Sequence, residues 1–108
     1  MTKKELMRAL VMRAIVDDYE PLDVATKDIQ EWDRERDLEI TQAQIIQELD
    51  ELVAQGLASA YAAPKGRLEE VERSHYELDD LYFHLTEEGT RIIKQLLPSV
   101  WIESDFDP

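Results

Sequence analysis

The chain has 108 residues and a formal net charge of −13, because 25 residues are Asp or Glu and only 12 are Lys or Arg. This length predicts a single domain, and the charge disfavours non-specific binding to nucleic acid or to an anionic membrane. The sequence contains no cysteine, which excludes disulfides, thiolate zinc sites and cysteine nucleophiles.

The distribution of charges along the chain predicts a protein without a membrane segment. The longest uncharged stretch, residues 52–64, is too short to span a bilayer. Charged side chains interrupt the first apolar segment, where a signal peptide would need an apolar core. We therefore expect a cytoplasmic protein.

Two amphipathic helices are predicted at the start of the chain. Apolar residues at helical spacing predict the first helix over residues 3–19, and Pro21 ends it. The second helix is predicted over residues 23–36, with Asp23 as its N-cap. A short extended link then turns Leu38 and Ile40 toward the core.

The third helix has the clearest boundaries in the sequence. Thr41 and Gln44 form a Thr-x-x-Gln capping box at its start. Gly56 follows its last apolar residue, where a left-handed residue is expected to close the helix.

Two strands and a fourth helix are predicted in the second half. The strands cover residues 57–62 and 80–85, and the charged residues 67–79 between them are predicted to be a long hairpin loop. Thr86 is the predicted cap of a helix that Pro98 stops at about residue 97.

Two segments carry a resemblance to a known family. Residues 45–57 read IIQELDELVAQGL, and residues 82–89 read YFHLTEEG. The first resembles the recognition helix of bacterial regulators with the Gly-Leu that begins their wing. The second resembles the Y-x-L-T-x-x-G end of the wing in MarR-type and PadR-type regulators.

The resemblance covers about residues 3–97 and implies a winged helix-turn-helix domain. The expected fold is mainly α within the α+β class: a three-helix core, a two-stranded wing and a fourth helix. We expect a longer wing loop than in those regulators, and a C-terminal tail without the long helix through which they often dimerise. We expect residues 1–97 to form the domain and residues 98–108 to form a partly apolar tail.

In a regulator of this fold the third helix enters the major groove and the wing lies beside the DNA backbone. DNA affinity depends on Lys and Arg at phosphates, yet no basic residue occurs in residues 37–64 and residues 65–80 carry a net charge of −3. The charge map therefore favours recognition of a protein partner, or self-association, by an acidic surface over residues 28–51. The candidate partner-binding face consists of Gln42, Gln44, Gln47, Glu48 and Glu51.

The alternative is a DNA-binding transcriptional regulator. Glutamines of the third helix would then read bases, while Lys65, Arg67 and Arg73 of the wing would hold the backbone. The bases near the N-terminus, Lys3 to Arg13, are interpreted as a solvated surface or as counterparts of an acidic neighbour.

The last residues contain a candidate anchor for a dimer or a partner, formed by Trp101, Ile102 and Phe106. Exposed aromatic residues inside a polar rim are typical of interfaces. The alternative is that this tail folds back on its own domain.

The sequence predicts neither catalysis nor a cofactor or metal. It contains no glycine-rich phosphate loop and no nucleophile motif. His75, with Glu72 and Asp79 nearby, has no recognisable metal-site spacing. His84 is expected to point toward solvent from a strand or to lie across from a neighbouring residue. We therefore expect a non-enzymatic binding module.

Overall fold

A computed structural model of the chain describes residues 2–34 and 36–100, with side chains up to residue 95. The helices in this part of the chain are α1 (Lys3–Ala14), α2 (Leu22–Asp33), α3 (Gln42–Ala54) and α4 (Glu87–Val100). The strands are β1 (Glu20–Pro21), β2 (Ala58–Ala62), β3 (Glu69–Glu70) and β4 (Tyr82–Leu85). They form one antiparallel sheet in the order β1-β4-β2-β3. The predicted α+β class is confirmed.

Helix α1 ends at Ala14 rather than at residue 19. The cause lies in the sheet, because the carbonyl of Ile15 accepts a hydrogen bond from the N–H of Leu85 (3.1 Å). The chain then runs into β1, where Glu20 and Pro21 pair with Phe83 and Tyr82. Pairing with β4 therefore overrides the helical periodicity of residues 15–19.

Helix α2 starts one residue before the predicted N-cap Asp23 and stops at Asp33 instead of residue 36. The buried Asp33 carboxylate accepts hydrogen bonds from the N–H groups of Leu38 (2.8 Å) and Ile40 (3.0 Å). These bonds turn the chain back toward α3. As predicted, Ile40 is buried and Leu38 packs against the core.

The sequence predicted an extended link between α2 and α3, and this prediction is wrong. Asp37 (φ 53°) and Glu39 (φ 55°) both have a left-handed backbone conformation, which residues other than glycine rarely adopt. The two hydrogen bonds to Asp33 hold this conformation in place.

Helix α3 has the predicted boundaries. Thr41 Oγ1 accepts from the Gln44 N–H (3.2 Å), and the Gln44 side chain accepts from the Thr41 N–H (2.9 Å). Gly56 has the expected left-handed backbone, with φ 75°.

The predicted two-stranded wing is wrong in detail, because the described sheet has four strands. Residues 67–79 form more than a loop: Glu69 and Glu70 pair with Ala62 and Tyr61, and two short 3-10 turns follow before β4. The central pair, β2 and β4, buries alternate residues on one face of the sheet. These residues are Ala58, Ala60, Ala62, Phe83 and Leu85.

The end of α3 and the start of α4 meet at one close junction. Thr86 Oγ1 donates to the carbonyl of Gly56 (2.8 Å) and accepts from the N–H of Gly89 (3.1 Å), and Thr86 N–H donates to the Leu57 carbonyl (3.0 Å). A Cβ on Gly89 would lie 2.0 Å from the Leu57 carbonyl oxygen. Only glycine fits at this position.

Helix α4 continues to Val100, past Pro98, so its predicted end at residue 97 is wrong. A proline this close to the end of a helix removes one hydrogen bond, to the carbonyl four residues earlier. The helix tolerates that loss over its final residues.

The core follows the predicted helix and strand periodicities. Its buried residues include Leu10, Ile29, Ile45, Leu49, Leu52, Leu81, Phe83, Leu85 and Ile93. Three others, Leu6, Trp32 and Ile92, are half-buried at its edge. Trp32 lies under the Arg13 guanidinium, whose carbon is 4.0 Å from the ring centroid.

We predict that Gly89→Ala lowers the free energy of unfolding by about 2–3 kcal/mol, because the new methyl group forces β2 and α4 apart. Urea denaturation measures this loss. The control is Gln95→Ala, an exposed position on the same helix, where we expect a change within about 0.5 kcal/mol. Equal stability of Gly89→Ala and the parent chain would contradict the described junction.

Candidate functional site

The predicted partner-binding face of α3 is only partly exposed. Gln42 and Gln47 are exposed, and the side chain of Gln42 reaches Thr26 Oγ1 of α2 (3.4 Å). Gln44 is half-buried, and its side chain is engaged in the capping box. Two of the three glutamines are therefore available to a ligand.

Glu48 does not belong to this face, because it has no solvent exposure. It shares the buried stripe of α3 with Ile45, Leu49 and Leu52. The helical spacing of residues 45, 48, 49 and 52 already contained this signal, but the charge of Glu48 led to its assignment to the surface. The assignment of Glu48 to an exposed partner-binding face is wrong.

The buried carboxylate is paired with the N-terminal helix. Lys4 Nζ donates to Glu48 Oε1 and also to Glu51 Oε2 (2.9 Å). The hydrogen bonds to Glu48 and Glu51 raise the pKa of Lys4 above its ordinary value. The second oxygen of Glu48, Oε2, has no hydrogen-bond partner among the described residues.

Other bases of α1 also face the neighbouring helices. Arg8 donates to Gln55 Oε1 at the end of α3, and Arg13 covers the ring of Trp32 on α2. For Lys4, the interpretation as a counterpart of an acidic neighbour is confirmed.

The three predicted wing cations do not lie together. Lys65 and Arg67 are exposed in the turn between β2 and β3, around Gly66 (φ 88°). Arg73 instead packs against α3, where its Nε donates to Asp50 Oδ1 (2.9 Å). Two cations remain at the tip of the turn.

A shallow hollow of about 610 Å³ separates α2 from the start of α3. Its lining residues are Asp23, Thr26, Lys27, Gln30, Glu31, Arg34 and Gln42. Two acidic and two basic side chains balance each other there, so the hollow has no preference for one sign of charge.

The candidate anchor formed by Trp101, Ile102 and Phe106 lies outside the described residues.

Among the described residues, no three His, Asp or Glu side chains are grouped as metal ligands. None of the described helices combines the length and the apolar character that a membrane span requires. His84 stacks on Tyr19, with ring centroids 4.8 Å apart.

The chain matches no protein-family model, and no curated protein or solved structure is similar enough to match it.

Carboxylates are crowded around β1. Burial raises the pKa of Glu20, and the charges of Asp18 and Asp28 add to the shift. A carboxyl group with a raised pKa binds its proton more tightly in the folded chain than in the unfolded chain, so its ionised form destabilises the fold.

We predict that Glu20→Gln is more stable than the parent chain at pH 7. The difference shrinks as the pH falls through the folded-state pKa and vanishes below the unfolded value of 4.5. Urea denaturation at several pH values measures it. Glu31→Gln, an exposed position, is the control and should change stability little at any of these pH values. A Glu20→Gln variant less stable than the parent at pH 7 contradicts the prediction.

Proposed function

We propose that the chain is a non-catalytic winged-helix domain that recognises a basic protein partner rather than DNA. The order of elements supports this assignment: three helices, with β1 between the first two, then the β2–β4 pair and α4. The two segments that resemble MarR-type and PadR-type regulators are in contact, since Leu57 ends one and Thr86 and Gly89 lie in the other.

The observation that carries the proposal is the pairing of two cations with acidic side chains of α3. Lys4 is held by Glu48 and Glu51, and Arg73 is held by Asp50. A DNA-binding surface needs such groups at phosphates, because each phosphate contact contributes to affinity. A net charge of −13 favours association with a cationic surface.

The second candidate function is the sequence-specific DNA-binding regulator. Lys65 and Arg67 at the exposed turn and the exposed Gln42 and Gln47 favour it. Base contacts by glutamine contribute specificity only after phosphate contacts have positioned the protein. The two cations of this turn provide little of that positioning.

Fluorescence anisotropy compares the two candidates directly. A labelled mixed-sequence DNA duplex and a labelled peptide of five Arg-Gly repeats are each titrated with the protein at about 50 mM salt, which strengthens every charge contact. We predict that the anisotropy of the duplex does not change up to about 100 µM protein, and that the peptide binds with a Kd of about 10 µM.

The double variant Lys65→Gln/Arg67→Gln is the matched control. It should leave peptide binding unchanged or slightly tighter, because it removes two positive charges. Duplex binding that weakens with salt and is lost in this variant would establish the DNA-binding alternative. A peptide that does not bind would contradict recognition of a basic partner.

A further inference from the structure

The outer face of the sheet is rich in aromatic side chains. Because alternate residues of β2 and β4 point into the core, the residues between them point outward. Ser59 lies opposite His84 in the pairing register, and Tyr61 lies opposite Tyr82. All four are partly exposed.

Tyr19, just before β1, completes this surface. Its ring packs edge-on against Tyr61, with centroids 4.8 Å apart and planes at 83°. The same ring lies 4.8 Å from the ring of His84, and 43% of Tyr19 is exposed. We call Tyr19, Ser59, Tyr61, Tyr82 and His84 the tyrosine face.

Carboxylates border the tyrosine face. Glu70 pairs with Tyr61 in the register, and burial together with the charge of Glu70 raises the pKa of this phenol. Beside Tyr82 lies an open hollow of about 290 Å³, lined by Ala62, Ala63, Pro64, Tyr76, Asp79, Asp80 and Tyr82. Its lining contains two carboxylates and no Lys or Arg.

We propose that the tyrosine face and the adjoining hollow bind an arginine-bearing segment of a protein partner. Guanidinium groups stack on tyrosine rings and form paired hydrogen bonds with carboxylates, and both kinds of group occur here. Arginine side chains lie over the rings of Tyr61 and Tyr82 and reach Asp79 and Asp80. This proposal rests on the proposed function and adds the site and the preferred side chain.

Aromatic rings on a sheet also stack on bases of single-stranded nucleic acid. Such sites combine their rings with cations that follow the phosphates. The tyrosine face has Glu70, Asp79 and Asp80 at its border instead. These charges favour the guanidinium and repel the phosphate.

The test uses the Arg-Gly repeat peptide and two double variants. Tyr61→Thr/Tyr82→Thr removes the rings but keeps residues suited to a strand, and Asp79→Asn/Asp80→Asn removes the carboxylates. We predict that each raises the Kd of the peptide at least about tenfold. A Lys-Gly repeat peptide should bind the parent chain more weakly than the Arg-Gly peptide, because lysine lacks the planar, forked guanidinium.

The matched control is Asp23→Asn/Glu87→Gln, which removes two exposed carboxylates elsewhere. We expect its Kd to change less than about twofold. If Asp79→Asn/Asp80→Asn and Asp23→Asn/Glu87→Gln weaken binding equally while Tyr61→Thr/Tyr82→Thr leaves it unchanged, the peptide responds only to net charge; the tyrosine face is then excluded, while recognition of a basic partner stands. If the parent chain does not bind the peptide, the proposed function itself fails.

Chemical-shift mapping on the parent chain tests the site without any substitution. The Arg-Gly peptide should shift the backbone amide signals of residues 59–61, 79–80 and 82–84 most strongly. A labelled single-stranded oligonucleotide is titrated in parallel and should shift none of them. Shifts at the tyrosine face from the oligonucleotide but not from the peptide would overturn the proposal in favour of nucleic acid.

Discussion

The fully buried carboxylate of Glu48 constrains how α1 and α3 pack. A buried charge is tolerated only with a partner, because its removal from water costs several kcal/mol. Lys4 supplies that partner and also binds Glu51. The N-terminus of α1 is therefore fixed across the middle of α3. The same pairing holds the Lys4 ammonium group against two carboxylates of α3, which links the packing of the helices to the proposed choice of partner.

The second constraint is the junction between the end of α3 and the start of α4. The carbonyl of Leu57 accepts a hydrogen bond from the Thr86 N–H, and Gly89, which has no Cβ, lets α4 approach that carbonyl. This contact explains why the sequence contains both Gly56-Leu57 and Thr86-x-x-Gly89. The carbonyls of the first pair accept hydrogen bonds from Thr86, and Gly89 leaves room for the Leu57 carbonyl. It also fixes β4 beside β2, so that Tyr61 and Tyr82 share the outer face of the sheet.

Features determined by neighbouring residues could be predicted from the sequence. The capping box of α3, the left-handed Gly56 and the alternation of β2 and β4 depend on local chemistry and period. Features determined by distant residues could not. The end of α1 depends on Leu85, and the two-residue strands β1 and β3 exist only through their pairing. In the candidate site, the sequence predicted the exposure of four side chains, Gln42, Gln47, Lys65 and Arg67. It could not predict the burial of Glu48 or the pairing of Arg73 with Asp50, because both depend on tertiary contacts.

The central claim is that the Lys4–Glu48 pair is a specific interaction that ties α1 to α3. A double-mutant cycle with Lys4→Met and Glu48→Leu, measured by urea denaturation, tests it most directly. The account predicts that Lys4→Met destabilises the parent chain clearly, because it leaves a buried carboxylate without its partner. In the Glu48→Leu background the same substitution should cost much less. Equal losses in both backgrounds would show that the two groups are not coupled and would contradict the account.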